Sequence, residues 1–147
     1  MTHPLPKRPL SDARFVLATD LDRTFLGGTR PMRKRLYDWI EANRETVGLI
    51  FVTGRDPGFI LQMCMENGLP WPEYVVGDVG TTIAEVSAGV GLCPIDALEA
   101  QIVEIWAEVG DAVRVADAPG LTLQDTDFRY RVSYDLDPAI GSVAQIG

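Results

Sequence analysis

The sequence is poor in the residues that many catalytic and metal sites use. It has one histidine, His3, and two cysteines, Cys64 and Cys93, among 147 residues. A Ser-His-Asp or Cys-His mechanism is therefore excluded for this chain alone. The two cysteines lie far apart and form no Cys-x-x-Cys pair, which argues against a zinc site. Both cysteines lie in or beside apolar segments, which predicts that their side chains are small, buried parts of the core.

Long apolar runs and an excess of positive charge are absent as well. No stretch reaches the roughly 20 apolar residues of a membrane span, and the start lacks a signal-peptide core. We therefore expect a cytoplasmic protein with no membrane partner. The net charge of −8 argues against a nucleic-acid partner. An acidic protein can still bind a phosphate ester where a metal and backbone donors are supplied locally.

The most informative segment is an apolar run at residues 15–19 that ends in Asp20 and Asp22, followed by Thr24. A continuous apolar run of this length indicates a strand buried on both faces. In open α/β sheets, ligands bind just beyond the carboxyl ends of such strands. Two carboxylates together at that place need a cation to neutralise them. Mg²⁺, which takes oxygen ligands, is the expected cofactor.

The pattern after this segment predicts an α/β fold with a parallel sheet. Apolar runs at 49–52 and 74–76 indicate two further buried strands, and apolar residues recur at helical spacing before each of them. Asp56 and Pro57 are typical of a helix start. Strands that alternate with helices at this spacing form βαβ units.

The chain is expected to have three parts. Residues 1–13, rich in proline, are predicted to be a disordered lead-in, and residues 14–83 form the first part of the core. Residues 84–147 are interpreted as a separate α+β module. In that module a helix is predicted to end at Gly110, and strict alternation over 129–136 predicts a strand with one wet face.

The ends of the first two strands are expected to share one crevice. The second strand is followed by Thr53, Gly54 and Arg55. A carboxylate can attack phosphorus, and a second one can protonate the leaving oxygen and then activate water. A hydroxyl and backbone amides can hold the phosphoryl oxygens. The alternative is that Asp20 and Asp22 only cap a turn.

With these motifs the sequence resembles the haloacid-dehalogenase (HAD) superfamily of phosphatases. Residues 20–24 match its first motif, and Thr53 within 53–55 matches its second. Within the superfamily the chain is most similar to the sucrose-phosphate phosphatase group, because of the segments 53–55, 79–83 and 131–134. The resemblance covers roughly residues 14–137 and implies a Rossmann-like core with an inserted α+β cap.

The resemblance implies a role for each matched residue. Asp20 is the expected phosphorylated nucleophile, and Asp22 the general acid and base. The Asp20 carboxylate and the Asp22 main-chain carbonyl are the expected Mg²⁺ ligands, while Thr53 and Gly54 bind the phosphoryl group. Arg55 either ties down the loop that carries Asp20 or contacts the substrate. The implied reaction is Mg²⁺-dependent hydrolysis of a small sugar phosphate through an aspartyl-phosphate.

One departure from the family pattern matters. The family's later motifs, a lysine and a further acidic segment, have no match, since no lysine follows Lys34. We therefore expect a shortened version of a longer phosphatase, with an incomplete core and cap. The strand at 15–19 would have an unpaired apolar edge, which could support a homo-oligomer. Alternatives are a non-catalytic module that binds a sugar or phosphate, a phosphomutase of the same superfamily, and a receiver-like domain.

Overall fold

A computed structural model describes Leu5 and residues 8–114, 117–125 and 129–141 of the chain. The chain divides into two compact units, Met1–Glu99 and Ala100–Gly147. Among the helices of these residues, none combines the length and the apolar character that crossing a membrane requires.

The first unit is built on one five-stranded sheet with the order β1-β2-β3-β4-β5. The strands are β1 (Phe15–Thr19), β2 (Val47–Val52), β3 (Tyr74–Gly77), β4 (Thr82–Ser87) and β5 (Gly91–Pro94). The first three strands are parallel, and β4 and β5 are antiparallel additions at the β3 side. The predicted α/β class is therefore confirmed. The sheet continues past residue 83, where the sequence placed the end of the core, because β4 pairs with β3 over four residues.

Two helices connect the parallel strands. They are α1 (Arg30–Ala42), with a proline in its first turn, and α2 (Gly58–Asn67). Asp56 provides an acceptor for a free backbone N–H at the start of α2, since its Oδ1 accepts a hydrogen bond from the Gly58 N–H at 2.7 Å. Gly68 ends the helix in the left-handed conformation, with φ of 63°. These helix boundaries follow the capping residues that the sequence showed.

The core lies between the two helices and one face of the sheet. It gathers fully buried side chains from β2, β3 and both helices: Leu49, Phe51, Val75, Ile40, Ile60 and Cys64. The burial predicted for Cys64 is therefore correct, whereas Cys93 is half-buried. Phe25, from the loop after β1, stacks on Tyr37 of α1 with ring centroids 4.8 Å apart. This contact anchors that loop to the core.

The predicted lead-in is more structured than its composition indicated. Arg8 donates a hydrogen bond from Nε to the Glu45 carbonyl at 2.8 Å, and Leu10–Asp12 form a short 3₁₀ turn. Leu5 packs against the core. An apolar residue of the lead-in thus packs against the core, and the proline content of the segment did not predict this contact. His3 and the other residues among 1–4, 6 and 7 lie outside the described residues.

The second unit contains most of α3 (Asp96–Arg114) and a two-stranded antiparallel sheet of β6 (Leu121–Leu123) and β7 (Tyr134–Leu136). Two expectations were wrong here. The helix backbone continues through Gly110, since an interior glycine costs only about 1 kcal/mol. The alternation over 129–136 forms a strand only in its last three residues, because β6 offers only three residues to pair with.

Candidate active site

The carboxyl ends of the three parallel strands lie at one edge of the sheet. Asp20 follows β1, Thr53 follows β2 and Asp78 follows β3. The Thr53 N–H donates to the Val76 carbonyl of β3 at 2.8 Å, so the last two ends are directly joined. The sequence-predicted residues of the first two motifs are therefore brought to the same edge.

The loop after β1 presents its acidic residues to solvent. Leu21 and Phe25 are buried, whereas Asp20, Asp22 and Thr24 between and beside them are exposed. The Thr24 hydroxyl donates to Oδ2 of Asp20 at 3.2 Å. Two buried apolar residues, Leu21 and Phe25, thus anchor a short loop whose three intervening side chains are exposed.

Asp22 and Arg55 form a bidentate ion pair between the loops of β1 and β2. The Arg55 Nε lies 2.7 Å from Oδ2 of Asp22, and Nη2 lies 2.7 Å from Oδ1. Both side chains are about half exposed, at 49% and 51%. The hydrogen bonds from Arg55 lower the pKa of the Asp22 carboxyl, and the same contact raises the pKa of the guanidinium. The pair therefore holds Asp22 ionised and fixes the two loops together.

Thr53 and Gly54 make the turn that leads from β2 to Arg55. Thr53 is buried, and its Oγ1 accepts a hydrogen bond from the Arg55 N–H at 3.2 Å. Gly54 is exposed. A hydroxyl that accepts one hydrogen bond keeps its own proton for donation to a nearby oxygen. The turn can therefore offer a hydroxyl, and an exposed backbone at Gly54, to an anion.

Asp78 was missed as a residue of this edge. It is buried, its N–H donates to the Arg55 carbonyl at 2.9 Å, and its Oδ2 accepts from the Thr82 hydroxyl at 3.1 Å. The next residue, Val79, is 68% exposed and has a φ of 60°, a conformation costly for a β-branched residue. An acidic residue between two glycines at the end of a predicted parallel strand was the signal available in the sequence.

The oxygen donors at this edge fit a magnesium ion that keeps part of its water. The exposed Asp20 carboxylate is available, whereas both oxygens of the Asp22 carboxylate are engaged by Arg55. Across the described ranges, no group of three or more His, Cys, Asp or Glu residues could enclose a metal. Mg²⁺ commonly binds through one or two protein oxygens plus water and substrate phosphate, and the Asp20 carboxylate can supply one such oxygen.

A family model supplies the decisive comparison. Residues 13–145 match the model of sucrose-6F-phosphate phosphohydrolase. The chain belongs to this family. The match includes Asp20, Asp22 and the turn at Thr53, so the edge described above lies within the region that defines the family.

Three curated relatives are similar to most of this chain. The chain is 34% identical over 124 residues to a glucosylglycerol-phosphate synthase of Pseudomonas anguilliseptica, covering 84% of this chain and 16% of the relative. It is 31% identical to a putative HAD-like hydrolase of Nitrosococcus oceani, covering 86% of this chain and 36% of the relative. Sucrose-phosphatase 1 of Nicotiana tabacum is 30% identical, with coverages of 84% and 30%. The chain therefore spans about a third or less of these curated relatives.

Solved structures confirm the fold. The sucrose-phosphatase of Synechocystis, solved with sucrose and phosphate, superposes with a TM-score of 0.71 at 24% identity, covering 86% of this chain and 50% of that one. A haloacid dehalogenase-like hydrolase of Bacillus subtilis gives a TM-score of 0.56 at 19% identity, with coverages of 72% and 50%. At these identities the likeness concerns the fold alone. The predicted HAD resemblance is confirmed by the family match.

Proposed function

We propose that this chain carries the nucleophile-bearing part of a Mg²⁺-dependent phosphatase that hydrolyses a sugar phosphate through an aspartyl-phosphate on Asp20. The observation that carries the proposal is the carboxyl edge itself. Asp20 is exposed there beside the Asp22–Arg55 pair and the Thr53 turn. The family match and the sucrose-phosphatase relatives support a sugar phosphate as the substrate class.

The reaction would proceed in two steps. In the first, an Asp20 carboxylate oxygen attacks phosphorus, the bond from phosphorus to the sugar oxygen breaks, and that oxygen takes a proton from Asp22. In the second, Asp22 accepts a proton from a water molecule whose oxygen attacks the aspartyl-phosphate. Inorganic phosphate leaves, and both carboxyl groups return to their starting states.

The other groups of the edge would hold the phosphoryl oxygens. The Thr53 hydroxyl and the backbone at Gly54 are the proposed donors. Mg²⁺, held by the Asp20 carboxylate and the Asp22 main-chain carbonyl, would offset the negative charge that gathers between nucleophile and phosphate.

Arg55 would control the protonation role of Asp22. While both Asp22 oxygens accept from Arg55, the carboxyl stays ionised, which suits the base of the second step. Its action as the acid of the first step requires that contact to open and the carboxylate to take up a proton from solvent, which it then passes to the sugar oxygen. The anionic phosphate of the substrate is a competing partner for the guanidinium, so substrate binding supplies a reason for the opening.

The test measures phosphate release from sucrose 6-phosphate and other sugar phosphates with Mg²⁺, for this chain and for Asp20→Asn. We expect a hydroxylamine-sensitive phosphoryl adduct on the unchanged chain, and a loss of turnover of about a thousandfold or more in the variant. Asp38→Asn is the matched control, because Asp38 is an exposed carboxylate on α1 paired with Lys34 at 2.6 Å. Normal turnover in Asp20→Asn would refute the nucleophile assignment.

A second candidate is a non-catalytic module that binds a sugar or phosphate. It is favoured by the sparse set of ligands near Asp20, because no group of three or more His, Cys, Asp or Glu residues within the described ranges could hold a metal. Calorimetric binding of sucrose or inorganic phosphate without any phosphate release would select this function. A phosphomutase would instead move the phosphoryl group to another hydroxyl of the sugar without releasing inorganic phosphate.

A further inference from the structure

The turn that carries Arg55 is held against the end of β3 by two backbone hydrogen bonds. The Thr53 N–H donates to the Val76 carbonyl at 2.8 Å, and the Asp78 N–H donates to the Arg55 carbonyl at 2.9 Å. The two bonds lie on either side of Gly77 and continue the parallel pairing of β2 with β3 past the end of β2. The backbone of Arg55 is therefore fixed from β3, at the opposite end of the residue from its guanidinium.

Gly77 permits this close approach because it has no side chain. It is buried, and so is Pro57, which ends the turn that carries Arg55. A Cβ at Gly77 would overlap the Pro57 ring and would come within 3.1 Å of the Arg55 carbonyl oxygen. Real Cβ atoms seldom approach other atoms so closely, so a larger residue at this position would push the turn away from β3.

Asp78 presents its N–H to Arg55 from an unusual backbone conformation. Its φ of 49° lies in the left-handed region, which aspartate tolerates better than most residues because its short side chain can form local hydrogen bonds. Here its Oδ2 accepts from the Thr82 hydroxyl at 3.1 Å, and its main-chain carbonyl accepts from the Thr81 hydroxyl at 2.9 Å. The turn between β3 and β4 thus holds Asp78 in the conformation from which it reaches Arg55.

The contact that Arg55 makes with Asp22 depends on direction. Nε and Nη2 of the guanidinium each lie 2.7 Å from a different oxygen of the carboxylate. A bidentate pair requires the planar guanidinium to face the carboxylate edge-on, so a shift of the Arg55 backbone would break at least one of the two bonds. The Arg55 side chain is about half exposed, and its placement therefore depends strongly on the backbone that carries it.

We propose that Gly77 and Asp78 are positioning residues, which hold the backbone of Arg55 so that its guanidinium meets Asp22. Gly77 lets the turn approach β3, and Asp78 binds the Arg55 carbonyl. Both residues act through Arg55. They would thereby place the carboxyl that is proposed as the general acid and base. That last consequence rests on the proposed function, whereas the positioning itself does not.

The test follows the Arg55 Nε–H signal in nitrogen–proton correlation spectra of the 147-residue chain. The signal is assigned by its absence in Arg55→Gln, and circular dichroism shows that each variant is folded. We expect the unchanged chain to give the downfield signal of a hydrogen-bonded guanidinium. Asp78→Ala loses the acceptor for Thr82 and the tolerance of a positive φ, so it should move the signal to that of a solvated arginine. Asp78→Asn keeps both features and should leave the signal in place.

Two milder variants decide the matter if Asp78→Ala does not fold. Gly77→Ala places a methyl group against the Pro57 ring and should move the signal in the same direction. Thr82→Val removes only the hydroxyl that holds the Asp78 carboxylate and should move the signal by a smaller amount. Thr122→Val, at an exposed position of β6, is the matched control and should leave it unchanged. An unmoved signal in the folded variants overturns the proposal. An equal movement in Asp78→Asn and Asp78→Ala overturns it too, because the charge would then carry the effect.

A kinetic cycle separates this proposal from the proposed function. Asp78→Ala and Arg55→Gln should each lower phosphate release from a sugar phosphate. The variant that combines them should be no slower than Arg55→Gln, within about twofold, because both changes remove the same contact. Losses that multiply overturn the proposal, since Asp78 would then act independently of Arg55. If the unchanged chain releases no phosphate, the proposed function fails, and the Arg55 signal alone decides the positioning role.

Discussion

The two ends of the parallel sheet each hold an arginine–carboxylate contact, in opposite surroundings. At the carboxyl end, Arg55 and Asp22 lie 2.7 Å apart and are about half exposed. At the amino end, Arg44 and Glu73 lie 3.2 Å apart, and only 8% and 10% of their side chains are exposed. An arginine–carboxylate pair is therefore found in two environments, and burial decides what each pair can do.

The buried contact belongs to a network that holds strands together. One Glu73 oxygen accepts from the Leu49 N–H of β2 at 2.8 Å, and the Arg44 guanidinium also donates to the Trp71 carbonyl at 2.7 Å. Arg8 lies 3.8 Å from the other Glu73 oxygen. The exposed contact has no comparable network, so it can open for a ligand at small cost.

Backbone strain also distinguishes the carboxyl end of the parallel sheet from the amino end. Across residues 8–114 and the other described ranges, the non-glycine residues with positive φ are Arg23, Asp78 and Val79. All three lie in loops that follow the carboxyl ends of β1 and β3. Strain of this kind gathers at functional sites, where the surrounding structure holds it. The carboxyl end is therefore both the accessible and the strained end.

The largest expected effect comes from breaking the buried contact between Arg44 and Glu73. Glu73→Ala leaves the Leu49 N–H without its acceptor and the Arg44 guanidinium without its carboxylate in a buried place. We expect the free energy of unfolding to fall by about 3 kcal/mol. Urea unfolding measures it, and Glu85→Ala, at an exposed position of β4, is the control. A loss below about 1 kcal/mol would mean that Glu73 is well solvated.

The next largest effect is a gain in stability, and it tests the strained backbone at the carboxyl end of the sheet. Val79→Asn replaces an exposed β-branched residue in the left-handed region with one that tolerates it. We expect a gain of about 1 kcal/mol in the free energy of unfolding. Val90→Asn is the matched control, because Val90 is an exposed valine without a positive φ. An equal change in both variants would show that the backbone of Val79 carries no strain.

The carboxyl end was largely predictable from the sequence. Apolar runs that stop at polar residues identified β1, β2 and β3, and parallel strands necessarily bring their carboxyl ends to one edge. The predicted burial of β1 on both faces was wrong, because Phe15 and Val16 are exposed. That rule joined Asp20 to Thr53 across more than 30 positions without any structural knowledge. The roles assigned to these residues stay predictions.

The amino end was not predictable, and neither was the partner of Arg55. Arg44 and Glu73 stand in irregular segments before two different strands, and no periodicity connects them. The sequence also left two possible roles for the Arg55 side chain, which were to hold the loop that carries Asp20 or to contact the substrate. The observed tie to Asp22 depends on a side-chain rotamer. Likewise β4 and β5 join the core sheet by strand pairing, which short apolar runs do not specify.

A smaller effect concerns the exposed contact. Arg55→Gln removes the guanidinium from a half-exposed carboxylate, and solvent screens most of the interaction. We expect a loss of about 0.5 kcal/mol at neutral pH by urea unfolding. Lys34→Gln is the control, since Lys34 and Asp38 form a more exposed pair on α1 and should lose about 0.3 kcal/mol. A loss above about 2 kcal/mol for Arg55→Gln would mean that the Asp22–Arg55 pair stabilises the fold as strongly as a buried ion pair does.

The smallest effect is the pH dependence of that same contact. Arg55 lowers the pKa of Asp22 below its ordinary value of 3.8, so the ionised carboxylate is stabilised by folding. The contribution is fully present above that ordinary value and is lost as pH falls through the lower pKa of the folded state. The difference in unfolding free energy between the unchanged chain and Arg55→Gln should therefore be constant from pH 7 to about 5 and shrink progressively at lower pH. In an Asp22→Asn background, Arg55→Gln should have almost no effect at any pH. A difference that persists after Asp22 is protonated would show that Arg55 stabilises the fold through a contact other than this carboxylate.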